Sequence, residues 1–273
     1  MRIVSTLVLL LLGAAVPALA QEWPRLNVFG GAQFADFTTD VQLDASATVL
    51  GTPVDFERDL DFDNEASMAW GGALWRISKR NQLSVGIVYV GRDVAQRQLQ
   101  RSIRFGRETF DVNANVDAFL DTWYVAASYR FAIVATPVVE LGASIGITVI
   151  NLSTGIGLSG SVSGPGGGTA SADTAEDASF TAPAPLPGAF VIVRPHPRVT
   201  IRAAGGYISA DFGDIDGEMV QTFGAVDVMI TNWLGVGGGY SYNRLSVGVD
   251  DSGFNGNLRY SFGGPQVYGV LAF

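Results

Sequence analysis

Apolar side chains recur at every second position along most of this chain, the period that sends successive residues of an extended strand to opposite faces. In 118–131, Trp123, Val125, Ala127, Tyr129 and Phe131 share one parity, while Thr122, Ala126, Ser128 and Arg130 share the other. The stretch 138–152 repeats this with Val139, Leu141, Ala143, Ile145, Ile147 and Val149 set against Glu140, Gly142, Ser144, Gly146 and Thr148. Ten such strands are predicted, at 26–37, 66–77, 82–93, 118–131, 138–152, 186–194, 198–211, 219–231, 233–247 and 256–273. Eight or twelve also fit, because 47–56 has room for another hairpin and 186–194 alternates weakly.

The alternation has a direction: bulky apolar residues go one way, and small, polar or charged ones go the other. Short connections at 79–81, 132–137, 195–197 and 231–232 alternate with long ones at 38–65, 94–117, 153–185, 212–218 and 248–255. Together these features predict an all-β fold, a transmembrane antiparallel up-and-down β-barrel of about ten strands with its apolar face toward lipid. A soluble lipocalin-like binding barrel is the alternative, and it requires the same faces inverted. Trp23, Trp70, Trp75, Trp123, Tyr129, Phe131, Trp233, Tyr240, Tyr242, Tyr268 and Phe273 lie near predicted strand ends, where interfacial girdles form.

Composition narrows the class. The 273 residues carry a formal charge of −9, which disfavours nucleic-acid binding, and no cysteine, which excludes disulfides, thiolate metal sites and a lipidated cysteine. Lys79 is the one lysine against sixteen arginines. Arg2, the apolar run 3–16 and Ala18-Leu19-Ala20 predict a cleaved secretory signal over 1–20, leaving 21–273 as the barrel at a charge of −10. The apolar run is shorter than the roughly 20 residues of a membrane-spanning helix.

The last stretch, NLRYSFGGPQVYGVLAF at 257–273, resembles the closing strand of Gram-negative outer-membrane β-barrels, the small porin-like and OmpA-transmembrane-domain-like superfamily. Val267, Leu271 and Phe273 fit that pattern; Gly269 and Pro265 depart from it. The resemblance implies location in the outer membrane with short turns in the periplasm, contact with outer-membrane lipid and lipopolysaccharide, and recognition by the barrel-assembly machinery through Val267, Leu271 and Phe273. A monomer is expected. Gly263-Gly264-Pro265 predicts a bulge that switches parity and puts Leu258, Tyr260 and Phe262 on the face of Leu271 and Phe273.

Charges supply the candidate chemistry. Asp55, Glu57, Asp59, Asp61, Asp63 and Glu65 occupy alternate positions, so a strand there presents six carboxylates on one face, opposite Gln96, Gln98, Gln100 and Ser102 in a tall extracellular hairpin. The row is a candidate divalent-cation site, although it lacks the glycine turn of a dedicated calcium loop; the other reading is a solvated face relieved by Arg58, Arg104 and Arg107. Arg97, Arg101 and Arg104 suit either lipopolysaccharide phosphates or those acids. Inside the barrel, two lumen pairs are predicted, Arg130 with Glu140 and Arg202 with Asp227, closing the barrel rather than selecting ions. The Gly, Ser, Ala and acidic composition of 153–185 predicts a loop that does not order itself.

No catalytic residue or cofactor is assigned. Outer-membrane lipid-modifying enzymes and proteases rely on a histidine at or beyond the outer leaflet, whereas the single His196 lies in Pro195-His196-Pro197, a short turn. The glycines of 235–239 lie in a strand without a following helix, which excludes a phosphate loop and suits close packing in the lumen. The expectation is a non-enzymatic barrel with a structural or surface-interaction role, or a narrow pore for small solutes. An outer-membrane enzyme is the competing class.

Overall fold

The computed structural model describes residues 23–44, 54–98, 103–105, 108–110, 115–163, 169–211, 215–251 and 254–273. In chain order these form strands β1 (Leu26–Asp44), β2 (Val54–Asp55), β3 (Glu65–Arg76), β4 (Asn81–Gln98), β5 (Ile103–Phe105), β6 (Glu108–Phe110), β7 (Asn115–Ala135), β8 (Val139–Ser163), β9 (Thr169–His196), β10 (Val199–Asp211), β11 (Ile215–Met229), β12 (Leu234–Asp251) and β13 (Phe254–Ala272). One helical turn, α1 (Phe56–Asp59), follows β2.

The ten long strands, among the described residues, close a ring in which each pairs antiparallel with its sequence neighbour and β1 pairs with β13. Leu26 and Phe273 exchange backbone hydrogen bonds at 3.0 and 2.8 Å, so the two ends of the chain seal the wall together. Closure is what lipid demands, since it cannot satisfy the donors and acceptors of a free strand edge.

The predicted faces hold. Leu83, Val85 and Ile87 of β4, Val125 of β7, Leu141, Ile145 and Ile147 of β8, and Val267 of β13 are exposed on the outside. Their inward neighbours Ser84, Gly86, Ser128, Ser144 and Gly146 are small or polar. Tyr89, Trp123, Tyr207 and Tyr240 ring the outer surface toward the long-hairpin end; Trp75, Tyr129, Phe131, Trp233 and Phe273 ring it toward the short turns. Trp23, Trp70 and Tyr268, expected in these girdles, instead pack against the interior core.

Three expectations are corrected. The stretch 153–185 is not a loop throughout: β8 and β9 stay paired from Val139↔Val193 out to Ser163↔Thr169. A ladder satisfies its own backbone groups, so small polar residues can extend it without a core to bury. Second, 55–63 does not extend the β3–β4 hairpin, whose pairing begins at Ala69↔Tyr89; the segment pairs with β1 through Asp40↔Asp55 and then turns inward. Burial of Phe56, Leu60 and Phe62 explains the turn. Third, no bulge interrupts β13, whose register with β12 is continuous from Leu234↔Leu271 to Asp251↔Phe254. Pro265 is accommodated by a gap in the β1 ladder opposite Phe34 and Ala35, where a Cβ at Gly264 would stand 1.9 Å from the Phe34 carbonyl oxygen. Parity is therefore unbroken: Tyr260 and Phe262 are buried inside, and Val267 and Phe273 face out.

Candidate functional site

Side chains pack into the lumen at two levels. Toward the short turns, Glu140 is 1% exposed; it accepts hydrogen bonds from Arg76 and from Gln82 Nε2, the latter at 2.8 Å. All three side chains project inward from strand positions of one parity. Trp23 lies across this end: the guanidinium groups of Arg76 and Arg194 stand 5.0 and 4.0 Å from its ring centroid, and its Nε1 donates to the Thr136 carbonyl at 3.1 Å.

One layer deeper, Arg202 and Asp227 form the predicted pair, with Nε and Nη2 reaching the two carboxylate oxygens at 2.7 and 3.0 Å. Tyr268 Oη donates to Asp227 Oδ1 at 2.7 Å and accepts from Arg202 Nη2 at 2.9 Å. The guanidinium also lies 4.1 Å from the Phe29 ring centroid. Gly237 makes this layer possible, because a Cβ there would stand 2.3 Å from the Tyr268 ring and 2.7 Å from Asp227 Oδ1. Close packing is thus the role of that glycine run.

Toward the long hairpins, α1 and its flanks fold into the barrel mouth. Leu60 is 0% exposed, and Phe56 and Phe62 pack at a ring separation of 5.3 Å within a core that includes Phe37, Tyr260 and Phe262. Glu57 anchors the segment: it accepts from the Thr39 backbone N–H at 2.9 Å, from Thr39 Oγ1 at 3.0 Å and from Arg92 Nη1 at 2.7 Å. Arg92 in turn lies 4.3 Å from the Phe37 ring centroid. Asp55 caps α1 by accepting from the Arg58 N–H at 2.8 Å, and Asp59 accepts from the Asp55 N–H at 2.8 Å. Asp61 adopts φ 60°, a left-handed turn that aspartate tolerates.

The acidic row is therefore dispersed, because a helical turn replaces the strand that would have aligned it. Asp55, Glu57 and Asp59 serve local contacts, and Asp61, Asp63 and Glu65 lie beyond the helix. Among the described residues, no three acidic or histidine side chains are grouped to hold a metal ion. Arg101 lies outside the described residues, as do the side chains of Arg97 and Arg104.

Arg130 and Glu140 do not pair. The β7–β8 register sets Arg130 opposite Ser144 and Glu140 opposite Ala135, two inward positions closer to the turn than symmetry about 132–137 places it. Glu140 takes Arg76 instead. Arg130 stands 5.5 Å from the Phe190 ring centroid and makes no ion pair among the described residues. Sequence reasoning missed Arg76, Gln82 and Arg92, although their shared parity with Ser84 and Gly86 marks them as inward-facing.

Between these two levels lies a chamber of about 230 Å³, lined by residues of all ten long strands. Its wall combines glycine and serine with Gln33, Thr148, Gln221, Asn243, Gln266, Arg130 and Arg202, and among the described residues includes no carboxylate or histidine. Trp70 Nε1, Asn243 Oδ1 and Gln266 Nε2 are buried there without a protein hydrogen-bond partner. His196 is exposed in its turn, where Nδ1 accepts from the Arg198 N–H at 3.2 Å.

A closed ten-stranded antiparallel barrel with an apolar outer band, two aromatic girdles and a filled lumen has the fold of outer-membrane β-barrel proteins. Among solved structures, the chain is similar to the outer membrane protease OmpT of Escherichia coli, with a TM-score of 0.62 at 11% identity over 90% of this chain and 97% of that one. The Ralstonia pickettii toluene transporter TbuX aligns with a TM-score of 0.37 at 13% identity over 94% of each chain. The attachment invasion locus protein Ail of Yersinia pestis aligns at 0.28 and 10% identity over 90% of this chain and 99% of its own. The first likeness is one of fold alone, and the other two carry no argument. No family model and no curated protein matches the sequence.

Proposed function

We propose that this chain is a monomeric, non-enzymatic outer-membrane barrel with a lumen closed to free diffusion, acting through what its interior and outer surface bind. The observation that carries this reading is the double closure: buried ion pairs Arg76–Glu140 and Arg202–Asp227 on one side of the chamber, and the inserted α1 segment with Leu60 and Phe56 on the other. A pore needs a continuous water-filled path, and charged side chains spent on neutralising one another do not line one. The chamber's lack of acids and of histidine, with His196 at the opposite rim, supports a non-enzymatic role.

Localisation follows from the outer face. Val267, Leu271 and Phe273 share that face on the closing strand, which supports their reading by the assembly machinery. The apolar band and its girdles suit outer-membrane lipid, with lipopolysaccharide at the long-hairpin end. Asp55, Glu57 and Asp59 are read as anchors of the segment inserted at that end rather than as a cation site.

Cell fractionation with gel mobility before and after boiling tests this reading. Recovery with outer membranes and a boiling-dependent shift is expected. Release with the soluble periplasm and no shift would contradict it.

A further inference from the structure

The ring of hydrogen bonds stops short at two seams. β3 and β4 part beyond Ala69↔Tyr89, where Arg92 of β4 instead reaches Glu57 of the inserted segment. β9 and β10 pair from Val199↔His196 to Gly206↔Gly188 and no further, although β9 remains paired to β8 as far as Thr169 and β10 remains paired to β11 as far as Asp211. The cause is in the sequence. Arg194 N–H donates to the carbonyl of Val138, the residue before β8, so even-numbered β9 residues point their N–H toward β8 and odd-numbered ones toward β10. Pro183, Pro185 and Pro187 are all odd. Three successive donors toward β10 are therefore missing, opposite Tyr207, Ser209 and Asp211 if the register continued. Pro265 shows what one such loss does, a local gap; three in series end the ladder. Proline also leaves no unpaired N–H to lipid, so the open seam costs less than it would with any other residue.

The seam meets the chamber. Leu186, Gly188 and Gly206 line both, and the Leu186 side chain lies where a Cβ on Gly206 would be, 2.7 Å away. Arg130, Ser144, Gly188 and Gly206 face inward in one cross-strand row over β7 to β10, so the Arg130 backbone lies in line with the last rung of the seam, its guanidinium leaning 5.5 Å from the Phe190 ring centroid. Asn243 and Gln266, 8% and 4% exposed, leave a polar atom each unpartnered in the same chamber. Arg130 is half-buried and makes no ion pair among the described residues, and the nearby charge is that of Arg202, already matched by Asp227.

We propose that the β9–β10 seam is a lateral port through which a single-chain anionic amphiphile, a fatty carboxylate, places its head at Arg130 while its tail remains among the proline side chains and membrane lipid. The chamber is smaller than the roughly 300–1,000 Å³ of pockets that enclose a whole ligand. It takes a head and the first methylenes. With side chains packed toward both rims and the inserted segment beside the β3–β4 gap, the β9–β10 seam is the path for the head, and Pro183, Pro185 and Pro187 present apolar rings on the outer face for the tail.

The test uses the full chain in dodecyl maltoside with dodecanoate labelled with ¹³C at its carboxyl. A separate bound carboxylate resonance, saturating at one per chain, is expected. Arg130→Gln should weaken it by about tenfold or more, as for loss of a charge-assisted hydrogen bond. Hexanoate, which lacks a tail to reach lipid, should not give it. Because the protein has no cysteine, the pair Pro185→Cys and Ser209→Cys can close the seam by oxidation, which should abolish uptake until reduction restores it. This second variant keeps the test decisive if Arg130→Gln fails its boiling-shift check for folding. Equal binding of hexanoate, uptake indifferent to the cross-link, or no bound resonance would overturn the port. The inference rests on the closed-barrel reading, whose own failure would appear separately as absence of the boiling shift.

Discussion

Glu140 shows how a charge is kept in a barrel interior. Its two partners reach it from β3 and β4, and all three groups are buried, so each oxygen is matched. Glu140→Gln leaves the Arg76 guanidinium uncompensated and is expected to cost about 3–5 kcal/mol, read as a lower temperature for loss of the folded band on unboiled gels. Pairing it with Arg76→Met should recover most of that loss, because a neutral pair of similar volume needs no counter-charge. Gly237→Val should destabilise by overpacking, by about 1–3 kcal/mol, and shift the Tyr268 fluorescence as its ring is displaced from Asp227. At this scale the sequence showed parity but not register. Arg202 and Asp227 meet although Asp227 lies opposite Thr200, because long side chains reach a diagonal neighbour. Arg130 and Glu140 do not, because a register shift between Ala132 and Val134 and a turn centred near Pro137 move Glu140 toward the rim.

Among the elements, the inserted segment around α1 and the proline edge of β9 depart most from an ideal barrel. Phe56 and Leu60 hold the segment in the mouth, and replacing both by serine is expected to release it. Liposomes carrying that variant should swell faster in small sugars than liposomes carrying the wild type. The edge of β9 is expected to respond to Pro183→Thr, Pro185→Thr and Pro187→Thr together by extending its ladder to β10, seen as slowed amide exchange at the three new N–H groups. All ten long strands were legible from alternation, since lipid on one side and a narrow lumen on the other enforce it residue by residue. Their lengths were not. Their lengths depend on backbone pairing, which carries the β8–β9 ladder out to Ser163↔Thr169 and which alternation does not report. The acidic alternation of 55–65 misled for the complementary reason: Phe56, Leu60 and Phe62 recur in the same stretch, and their burial outweighed the period of the charges.

For the molecule as a whole, the outside is the part that sequence specified best, through Val125, Ile145 and Val267 and the aromatic residues at either end of the band. The inside depends on which strands lie across from one another, which no local pattern encodes, and so Arg76–Glu140 and Glu57–Arg92 emerged only with the closed ring. What unites these features is a lumen with side chains packed toward both rims and a wall whose β9–β10 ladder stops short. Single-channel recording of the wild-type chain in a planar bilayer tests the sealed lumen most directly. A folded, heat-modifiable protein that inserts and gives no steady conductance is the predicted result; a large, stable open-channel current from the same preparation would contradict it.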